Sequence, residues 1–447
     1  MSISKKLESF FTKFLPSPFT IAVLLTFATI ILSLLFTQNK NEDPHILNLL
    51  SYWENGMWNN NMIVFAFQMM LIMVLGHVLA LSNFASNQID KITKYCNNTA
   101  NSAAIVTFFS IVVGLINWGL GLIFGAILAR RVAEQASIKK IKLNYPLIAA
   151  AGYTGMMVWH GGLSGSAPVK AATKNHLRED LKISLETVPD MISLSETIFS
   201  PMNITISISL LIMLPIGMYL IGKKKEGKVI SFLADKLEKQ ETNENRLDKS
   251  NIIAYGLGST ILIYCIYLIL NNKDIDPINF INLSLFAFGI ILHRNIHGFS
   301  NAVNSAIGGA AGILIQFPLY FGILGIMRES GLAEIFSDIF VNISNESSFP
   351  IFTFISGGIV NIFVPSGGGQ WAIQGPIIIE AASELGVSYS KSILALSYGD
   401  QITNMLQPFW ALPLLWITGL KAKELIPYTI LLFLMGSGIF IIGLLLF

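Results

Sequence analysis

A glycine-rich stretch set between apolar runs, residues 361–376, limits what this chain can fold into more than any other part. Its sequence is NIFVPSGGGQWAIQGP. Pro365 lacks a backbone N–H donor, and the three glycines after Ser366 disfavour a helix, so we expect the helix to be broken here. Inside lipid, broken backbone is tolerated only where protein buries it or where it lines a polar cavity. The stretch therefore predicts a polar site within a membrane protein.

Long apolar runs predict an all-α polytopic membrane protein, because a helix needs roughly 20 apolar residues to cross a bilayer. The hydrophobic share of the chain is 53% and the charged share only 13%, whereas soluble proteins have about 25% charged residues. The runs 146–173 and 350–384 are interrupted by glycine and proline, so they predict broken helices. The expected spans are 19–36, 62–82, 102–129, 146–173, 195–221, 252–270, 279–293, 302–327, 350–384, 390–419 and 426–447.

The net charge and the cysteines argue against nucleic-acid, metal and cofactor binding. The net charge of +2 comes from basic residues scattered over short loops, so we expect no nucleic-acid partner. Cys96 and Cys265 lie far apart without metal-ligand spacing. Free cysteines are commonly buried packing residues. We therefore expect no metal site and no cofactor apart from a coupling ion.

The two halves of the chain resemble each other. The motif Asn-Ser-Ala at 101–103 occurs again at 304–306. A proline follows each copy at nearly the same distance, Pro146 in the first half and Pro350 in the second. Matched broken segments in two halves are typical of transporters built from structural repeats.

We therefore predict two repeats, each with a re-entrant Gly/Ser-rich hairpin and a broken helix. The first half, 1–221, also contains the first transmembrane helix. A charged cytoplasmic linker at 222–250 joins it to the second half at 251–447. The number of spans favours parallel repeats, whereas the basic loop 130–142 favours inverted repeats, which we expect.

The first hairpin is predicted at 159–168, WHGGLSGSAP, in a position that matches PSGGGQW at 365–371. Helix N-termini at such tips offer unpaired N–H groups and a partial positive charge, which suit a carboxylate. The alternative is that the small residues only permit close helix packing. The candidate substrate ligands are His160, Ser164, Ser166, Ser366, Gly367, Gly368, Gly369, Gln370, Trp371 and Gln374.

No lysine or arginine falls inside either tip, and Lys170 and Lys174 lie just past the first one. We therefore expect backbone amides and hydroxyls to hold the carboxylate, with a positive φ angle at Gly368. Such a site suits one negative charge better than two, because a second buried charge needs its own compensation. The side chains proposed to enclose a short acyl tail are Phe363, Trp371, Phe409 and Trp410.

A second interrupted span follows each hairpin and contains an acid before a proline. A carboxylate at membrane depth costs about 2.5–3.5 kcal/mol, so it marks an ion or proton path. The candidate ion-coupling residues are Asp400, Thr403, Asn404 and Gln407 in the second half, with Glu196 and Thr197 in the first. Glu196 fits an interfacial position equally well. The sequence leaves H⁺ and Na⁺ both open as the coupling ion.

Two other function classes compete with a transporter. The pattern Gly162-Leu163-Ser164-Gly165 is that of an intramembrane serine protease with Ser164 as nucleophile, which needs a histidine to activate it. That alternative leaves the second hairpin and Asp400 without a role, so we expect no enzyme. A passive carboxylate channel is the other alternative, although two broken repeats favour alternating access.

Three motifs resemble the bacterial short-chain fatty acid transporter family: VPSGGGQWAIQGP at 364–376, NMLQPFWALP at 404–413 and HGGLSGSAP at 160–168. The resemblance extends over essentially the whole chain. It implies a small monocarboxylate substrate such as butyrate or acetoacetate, and kinship with broader anion transporters that use paired hairpins. From the broken repeats and Asp400 we expect ion-coupled uptake, by symport. The resemblance also implies a multi-pass protein of the bacterial cytoplasmic (inner) membrane. The partners expected are the monocarboxylate and the lipid bilayer, and a homodimer is an open option.

Overall fold

The computed structural model describes residues 16–39, 42–181, 183, 188–225, 227–229, 245–271 and 276–447, which are mainly helical. The helices of the first half are α1 (Pro18–Phe36), α2 (His45–Met57), α3 (Asn60–Leu81), α4 (Asn83–Thr93), α5 (Thr99–Ile116), α6 (Trp118–Ile138), α7 (Tyr145–Gly152), α8 (Ser166–Ala171) and α9 (Pro201–Lys224). Those of the second half are α10 (Asn251–Leu270), α11 (Pro277–His293), α12 (Ile296–Ala306), α13 (Ala310–Glu329), α14 (Leu332–Asn342), α15 (Phe349–Phe363), α16 (Gly367–Leu385), α17 (Tyr389–Thr403), α18 (Leu412–Thr418) and α19 (Ala422–Leu446).

Shorter elements join these helices. Antiparallel strands β1 (Lys142–Leu143) and β2 (Lys228–Val229) pair with each other. The 3₁₀ turns are Tyr153–Met157, Trp159–Gly161, Ile307–Gly309 and Asn404–Leu406, and a π turn covers His176–Asp180.

Several long helices begin where a polar side chain accepts a hydrogen bond from the first turn. Ser17, Asn59 and Asn98 cap α1, α3 and α5 in this way, and Ser200 caps α9. Such caps satisfy N–H groups that have no partner within the helix. The caps explain why these helices start at the ends of the apolar runs.

Within the described residues, seven helical segments are long and apolar enough to cross a membrane. They are Pro18–Phe36, Asn60–Leu81, Thr99–Ile116, Pro201–Lys224, Asn251–Leu270, Ile296–Glu329 and Ala422–Leu446. The predicted spans 146–173, 350–384 and 390–419 are interrupted, and the helix at 277–293 is short. Exposed apolar side chains such as Phe27, Ile212 and Ile263 suit contact with lipid. The prediction of an all-α polytopic membrane protein is confirmed.

The interrupted helices lie in the protein interior rather than at its surface. Every residue of α17 from Ser392 to Thr403 is buried, and α17 packs along α15. The two backbones approach closely at Gly399, where a Cβ atom would overlap the carbonyl oxygen of Phe354. Broken backbone is therefore enclosed by protein, as a membrane location requires.

The linker predicted at 222–250 begins inside helix α9, which continues to Lys224. Its next described residues include strand β2, which pairs with the basic loop through β1. Residues 226 and 230–244 of the linker lie outside the described residues. The division into halves, the repeats and their relative orientation stay predictions.

Candidate functional site

The second hairpin is broken by Val364 and Pro365 rather than by its glycines. Helix α15 ends at Phe363, and Ser366 caps α16 by accepting a hydrogen bond from the Gly369 amide at 3.3 Å. The three glycines form the first turn of α16, and none of them has a positive φ angle. The positive φ expected at Gly368 is therefore wrong. Instead, the tip presents the N-terminus of a helix to its surroundings.

The first hairpin, which we call hairpin 1, is shorter and less regular than the second. Helix α7 ends at Gly152, two 3₁₀ turns follow, and the chain re-enters a helix only at Ser166 in α8. The Ser164 hydroxyl accepts a hydrogen bond from the Trp118 amide at 3.0 Å. Ser164 therefore supports the first turn of α6, and it does not line the cavity that the tips form.

The two tips meet at Gly367. A Cβ atom there would lie 2.7 Å from the Trp159 ring, 2.8 Å from the His160 ring and 2.9 Å from Asp400 Oδ2. Contacts below 3 Å are not available to a real Cβ, so glycine is what permits this approach. It brings the N-terminus of α16 against hairpin 1 and against α17 at the same point.

A cavity of about 730 Å³ lies over these tips, within the range of small-molecule sites. We call it the tip cavity. Five of the predicted substrate ligands line it: Ser166, Ser366, Gly367, Gly368 and Gly369. Its aromatic wall consists of Phe65, Trp118, Trp159 and Trp410, whereas the residues Arg328 and Glu329 lie at its charged side.

Lys170 also lines the tip cavity, and sequence reasoning placed it outside the tip. Its ammonium nitrogen is 3.7 Å from the position of a Cβ on Gly368, and the Ser166 hydroxyl is 4.0 Å from the same point. Within the part of the chain that the structure describes, no carboxylate lies within ion-pair distance of Lys170. Ser166 and Lys170 are four positions apart, a spacing that places two side chains on one helix face. That spacing is the signal that could have identified Lys170.

His160 lies beneath the tips and pairs with Asp400. The side chains are 1% and 2% exposed, and His160 Nδ1 is 2.8 Å from Asp400 Oδ2. The Ala167 amide donates to His160 Nε2 at 3.0 Å, so the neutral ring carries its proton on Nδ1. The Nδ1–Oδ2 alignment is poor for a hydrogen bond, and neither atom has another hydrogen-bond partner among the described residues. Neither side chain lines the tip cavity.

Three other predicted ligands lie behind the second tip. The Trp371 indole donates to His176 at 3.0 Å, and the ring is fully buried. Gln370 donates to the Gly357 carbonyl at 2.7 Å and to Gln374 Oε1 at 2.8 Å. Gln374 in turn donates to serine hydroxyls on α14 and α15. The structure thus places these three side chains in the scaffold that holds α16.

The predicted ion-coupling side chains Thr403, Asn404 and Gln407 do come together around Asn361. We call these four residues the Asn361 cluster. The Asn361 amide nitrogen donates to the Asp400 carbonyl at 2.8 Å, to Thr403 Oγ1 at 2.9 Å and to Asn404 Oδ1 at 3.2 Å. Gln407 donates to the Asn361 carbonyl at 3.2 Å. Sequence reasoning missed Asn361, because only the packing of α15 on α17 brings it to this position.

Glu196 and Thr197 lie apart from that cluster. Glu196 is exposed and accepts a hydrogen bond from the Ser193 amide at 3.0 Å, and Thr197 donates to the Ser193 carbonyl. Near these two residues, Asn203 is the side chain that makes polar contact with α17. It donates a hydrogen bond to the Gly161 carbonyl at 2.8 Å and accepts one from the Tyr398 hydroxyl at 2.9 Å. Asn203 holds hairpin 1 against α17.

A second cavity of about 1380 Å³ is lined by His77, Arg130, Glu134, Gln316 and Trp416, among other residues. Helix α13 contributes Gln316 to this cavity and Phe321 to the tip cavity. These two residues are about 7.5 Å apart along the helix axis. Phe65, Trp118, Phe317 and Trp410, which we call the aromatic layer, pack against one another with ring centroids 5.0–6.5 Å apart. Phe65, Trp118 and Trp410 line the tip cavity, and Phe317 lies between Gln316 and Phe321 in the sequence of α13.

Comparison with known proteins gives three kinds of similarity. The family described as "Short chain fatty acid transporter" matches residues 1–447. A protein of Escherichia coli (strain K12) that carries the name of a short-chain fatty acid transporter is 36% identical, over 100% of this chain and 99% of its own. A protein of the same name from Haemophilus influenzae (strain ATCC 51907 / DSM 11121 / KW20 / Rd) is 37% identical over 99% and 98%.

Similar solved structures are more distant. The YdaH transporter of Alcanivorax borkumensis has a TM-score of 0.43 at 13% identity, covering 96% of this chain and 97% of its own. MtrF of Neisseria gonorrhoeae, described with a class of antimetabolite efflux pumps, has a TM-score of 0.40 at 13% identity, covering 99% and 96%.

Proposed function

Because the chain belongs to the short-chain fatty acid transporter family, we propose that it binds short-chain monocarboxylates in the tip cavity. The substrates are butyrate, acetoacetate and anions of similar size. The observation that carries the proposal is that a single cavity brings together a helix N-terminus, hydroxyl groups, an aromatic wall and a lysine that has no ion-pair partner among the described residues. These groups complement an anionic head with a short apolar tail.

The carboxylate is held between the two tips. Ser366 and the first-turn amides of α16 offer hydrogen-bond donors and the positive end of the helix dipole. Lys170 and Ser166 face them from α8, close to Gly368. Of the two described cations that line the cavity, Arg328 lies 3.7 Å from Glu329, whereas Lys170 has no ion-pair partner among the described residues. A single such cation suits one carboxylate.

The acyl tail packs on the aromatic wall of the tip cavity. Trp118, Trp159 and Trp410 line this wall, whereas Trp371 is fully buried elsewhere and Phe363 packs against Phe336. A short tail buries apolar surface worth about 0.8 kcal/mol per CH₂ group. Tail length therefore contributes to affinity until the wall is filled.

Movement across the bacterial cytoplasmic (inner) membrane follows from alternating exposure of the site to the two cavities. On α13, residues that line the two cavities are little more than one helical turn apart, and the aromatic layer is the barrier in our proposal. A rearrangement of the hairpins that opens this layer exposes the carboxylate site to the opposite side. Such opening, coupled to an ion, makes the protein a secondary active symporter.

The test combines a binding and a transport measurement. Purified protein is titrated with butyrate while the fluorescence of the cavity tryptophans is followed, and proteoliposomes are assayed for accumulation of labelled butyrate. A charge-assisted hydrogen bond contributes about 1.5–3 kcal/mol. Ser366→Ala and Lys170→Gln are therefore expected to weaken binding about ten-fold or more, while Lys174→Gln, outside the cavity lining, serves as the matched control.

The rival functions give different results. A passive channel equilibrates butyrate but never accumulates it under an H⁺ or Na⁺ gradient. A protease loses cleavage of a membrane substrate in Ser164→Ala. Equal butyrate affinity in wild type, Ser366→Ala and Lys170→Gln would refute the proposed site.

A further inference from the structure

We propose that the His160–Asp400 pair binds the coupling proton, so that one proton and one carboxylate are carried together. This inference rests on the proposed function, because it assigns the ion that drives it. It goes further in choosing between H⁺ and Na⁺, a choice that the sequence left open.

The pair touches both hairpins at once. His160 belongs to hairpin 1, and its Nε2 atom accepts from the Ala167 amide in the first turn of α8. Asp400 belongs to α17, and its Oδ2 atom lies 2.9 Å from where a Cβ of Gly367 would stand, at the start of α16. A change in the charge of this pair therefore acts on the N-terminal turns of both tip helices.

The pair is built in a way that leaves room for a proton. Both side chains of the pair are buried, with an exposure of 1–2%, so a net charge on the pair would be out of contact with water. His160 Nδ1 and Asp400 Oδ2 have no well-aligned hydrogen bond among the described residues. A buried ionised carboxylate without full hydrogen bonding is costly. One added proton on the Asp400 carboxyl removes the charge, while the hydrogen bond from Ala167 to His160 Nε2 stays intact.

Charge at Asp400 decides whether the tips accept a substrate. While Asp400 is ionised, it neutralises the partial positive charge at the N-terminus of α16 and repels a second carboxylate above it. Two unit charges about 6 Å apart, at an effective dielectric constant of about 20, change affinity on the order of a hundred-fold. Protonated Asp400 frees the helix N-terminus for the substrate. Proton and carboxylate thus favour each other's binding, which is reciprocal by linkage.

Within the described ranges, the other charged or titratable groups on the elements around the pair are bonded elsewhere or lie farther away. Tyr398 on α17 donates to Asn203, and Tyr153 on the preceding 3₁₀ turn donates to the Asn404 carbonyl at 3.3 Å. Lys170 on α8 faces Gly368 on the substrate side. Glu380, on α16, lies about 20 Å along the helix from Gly367, and Glu424, at the start of α19, accepts a hydrogen bond from the Lys421 amide. Among the described residues, Asp400 is the only acid in contact with His160.

A sodium ion is the rival coupling ion, and the structure offers it a different place. The side-chain oxygens of Asn361 and Gln407 are buried without a hydrogen-bond partner among the described residues, and both side chains belong to the Asn361 cluster. Oxygen ligands of this kind suit Na⁺ better than H⁺. Coupling to H⁺ and coupling to Na⁺ therefore predict different binding residues and different transport results.

The first experiment measures butyrate affinity by tryptophan fluorescence in sodium-free buffer at pH 6 and pH 8, where butyrate stays ionised. Wild type is expected to bind butyrate more tightly at pH 6 than at pH 8. Asp400→Asn, which imitates the neutral acid, is expected to bind equally at both pH values and at least as tightly as wild type does at pH 6. Glu380→Gln removes an exposed carboxylate from α16 and is expected to keep the wild-type pH dependence.

The second experiment needs only the wild-type protein, so it holds even if Asp400→Asn fails to fold. Proteoliposomes without sodium receive an inward proton gradient, and accumulation of labelled acetoacetate is followed, with protein-free liposomes as the baseline for passive entry of the acid. Accumulation supports the proposal. Accumulation that requires Na⁺ and ignores the proton gradient overturns it.

The outcomes also separate this inference from the proposed function. Binding of butyrate with no pH dependence in wild type refutes the proton site and leaves the carboxylate site intact. No binding of butyrate at any pH refutes both. Unchanged pH dependence in a folded Asp400→Asn protein refutes the role of Asp400 alone.

Discussion

Gly367 offers the sharpest test of how the two tips are held together. In Gly367→Ala, the new Cβ would stand 2.7 Å from the Trp159 ring, 2.8 Å from the His160 ring and 2.9 Å from Asp400 Oδ2. All three neighbours are buried, so they have little room to move. The α16 tip must shift by several tenths of an ångström for these contacts to relax.

The size of the effect follows from two opposing terms. Overpacking of this kind costs about 1–3 kcal/mol, while alanine favours a helix over glycine by up to about 1 kcal/mol. Gly368→Ala is the matched control, because its Cβ would lie 3.7 Å from Lys170 and 4.0 Å from Ser166, at ordinary contact distances. The helix term is similar in both variants, so the difference between them isolates the steric term of about 1–3 kcal/mol.

The assay compares the thermal inactivation of the two variants. Gly367→Ala is expected to inactivate at a lower temperature than Gly368→Ala, because only its Cβ carries the steric cost of about 1–3 kcal/mol. Equal stability of the two variants would refute the close meeting of the tips at Gly367.

Two further predictions concern residues whose roles are structural. Ser164→Ala leaves the Trp118 amide without its acceptor and is expected to lower stability by about 1–3 kcal/mol at unchanged butyrate affinity. A selective loss of affinity without loss of stability would return Ser164 to the binding site. Burial raises the pKa of Cys96 from 9.0 to about 11. Maleimide labelling of Cys96 in a Cys265→Ser protein is therefore expected to be about 100-fold slower than that of an exposed thiol at the same neutral pH, because the thiolate is the reactive form and its fraction falls about ten-fold per unit of raised pKa. The labelled fraction is followed by mass spectrometry. Because the folded state disfavours the thiolate, stability is expected to fall as pH rises from about 9 to about 11. A labelling rate at neutral pH as fast as that of an exposed thiol would contradict the burial.

Local sequence rules located the broken backbone, because proline and glycine act on their own chain segment. Pro365 marks the break before α16, and Ser366 occupies the cap that its residue type favours. The conformation of the glycines was not predictable from their number. Once Ser366 caps the helix, glycines fit its first turn, and no positive φ angle is needed.

Contacts between distant segments were beyond sequence reasoning. The pairing of His160 with Asp400 depends on how hairpin 1 packs on α17, and nothing near either residue in the sequence records it. Trp371 shows the opposite error: its motif suggested a substrate ligand, but its side chain faces His176 behind the tip. A motif identifies a segment, whereas only the helix phase shows which of its faces meets the cavity. For Lys170, that phase could have been calculated from Ser166.

The tie between hairpin 1 and Gln401 has a consequence for how the protein is made in the cell. Gln401 Oε1 accepts hydrogen bonds from the His160 amide at 2.7 Å and the Gly161 amide at 3.3 Å, across 241 and 240 positions of sequence. During synthesis, these two amides enter the membrane long before their acceptor leaves the ribosome. Until it does, they rely on water, on the insertion machinery or on temporary partners. Hairpin 1 therefore acquires these two hydrogen bonds only after residue 401 has been made and inserted, and a chain stalled before that point leaves the hairpin without them.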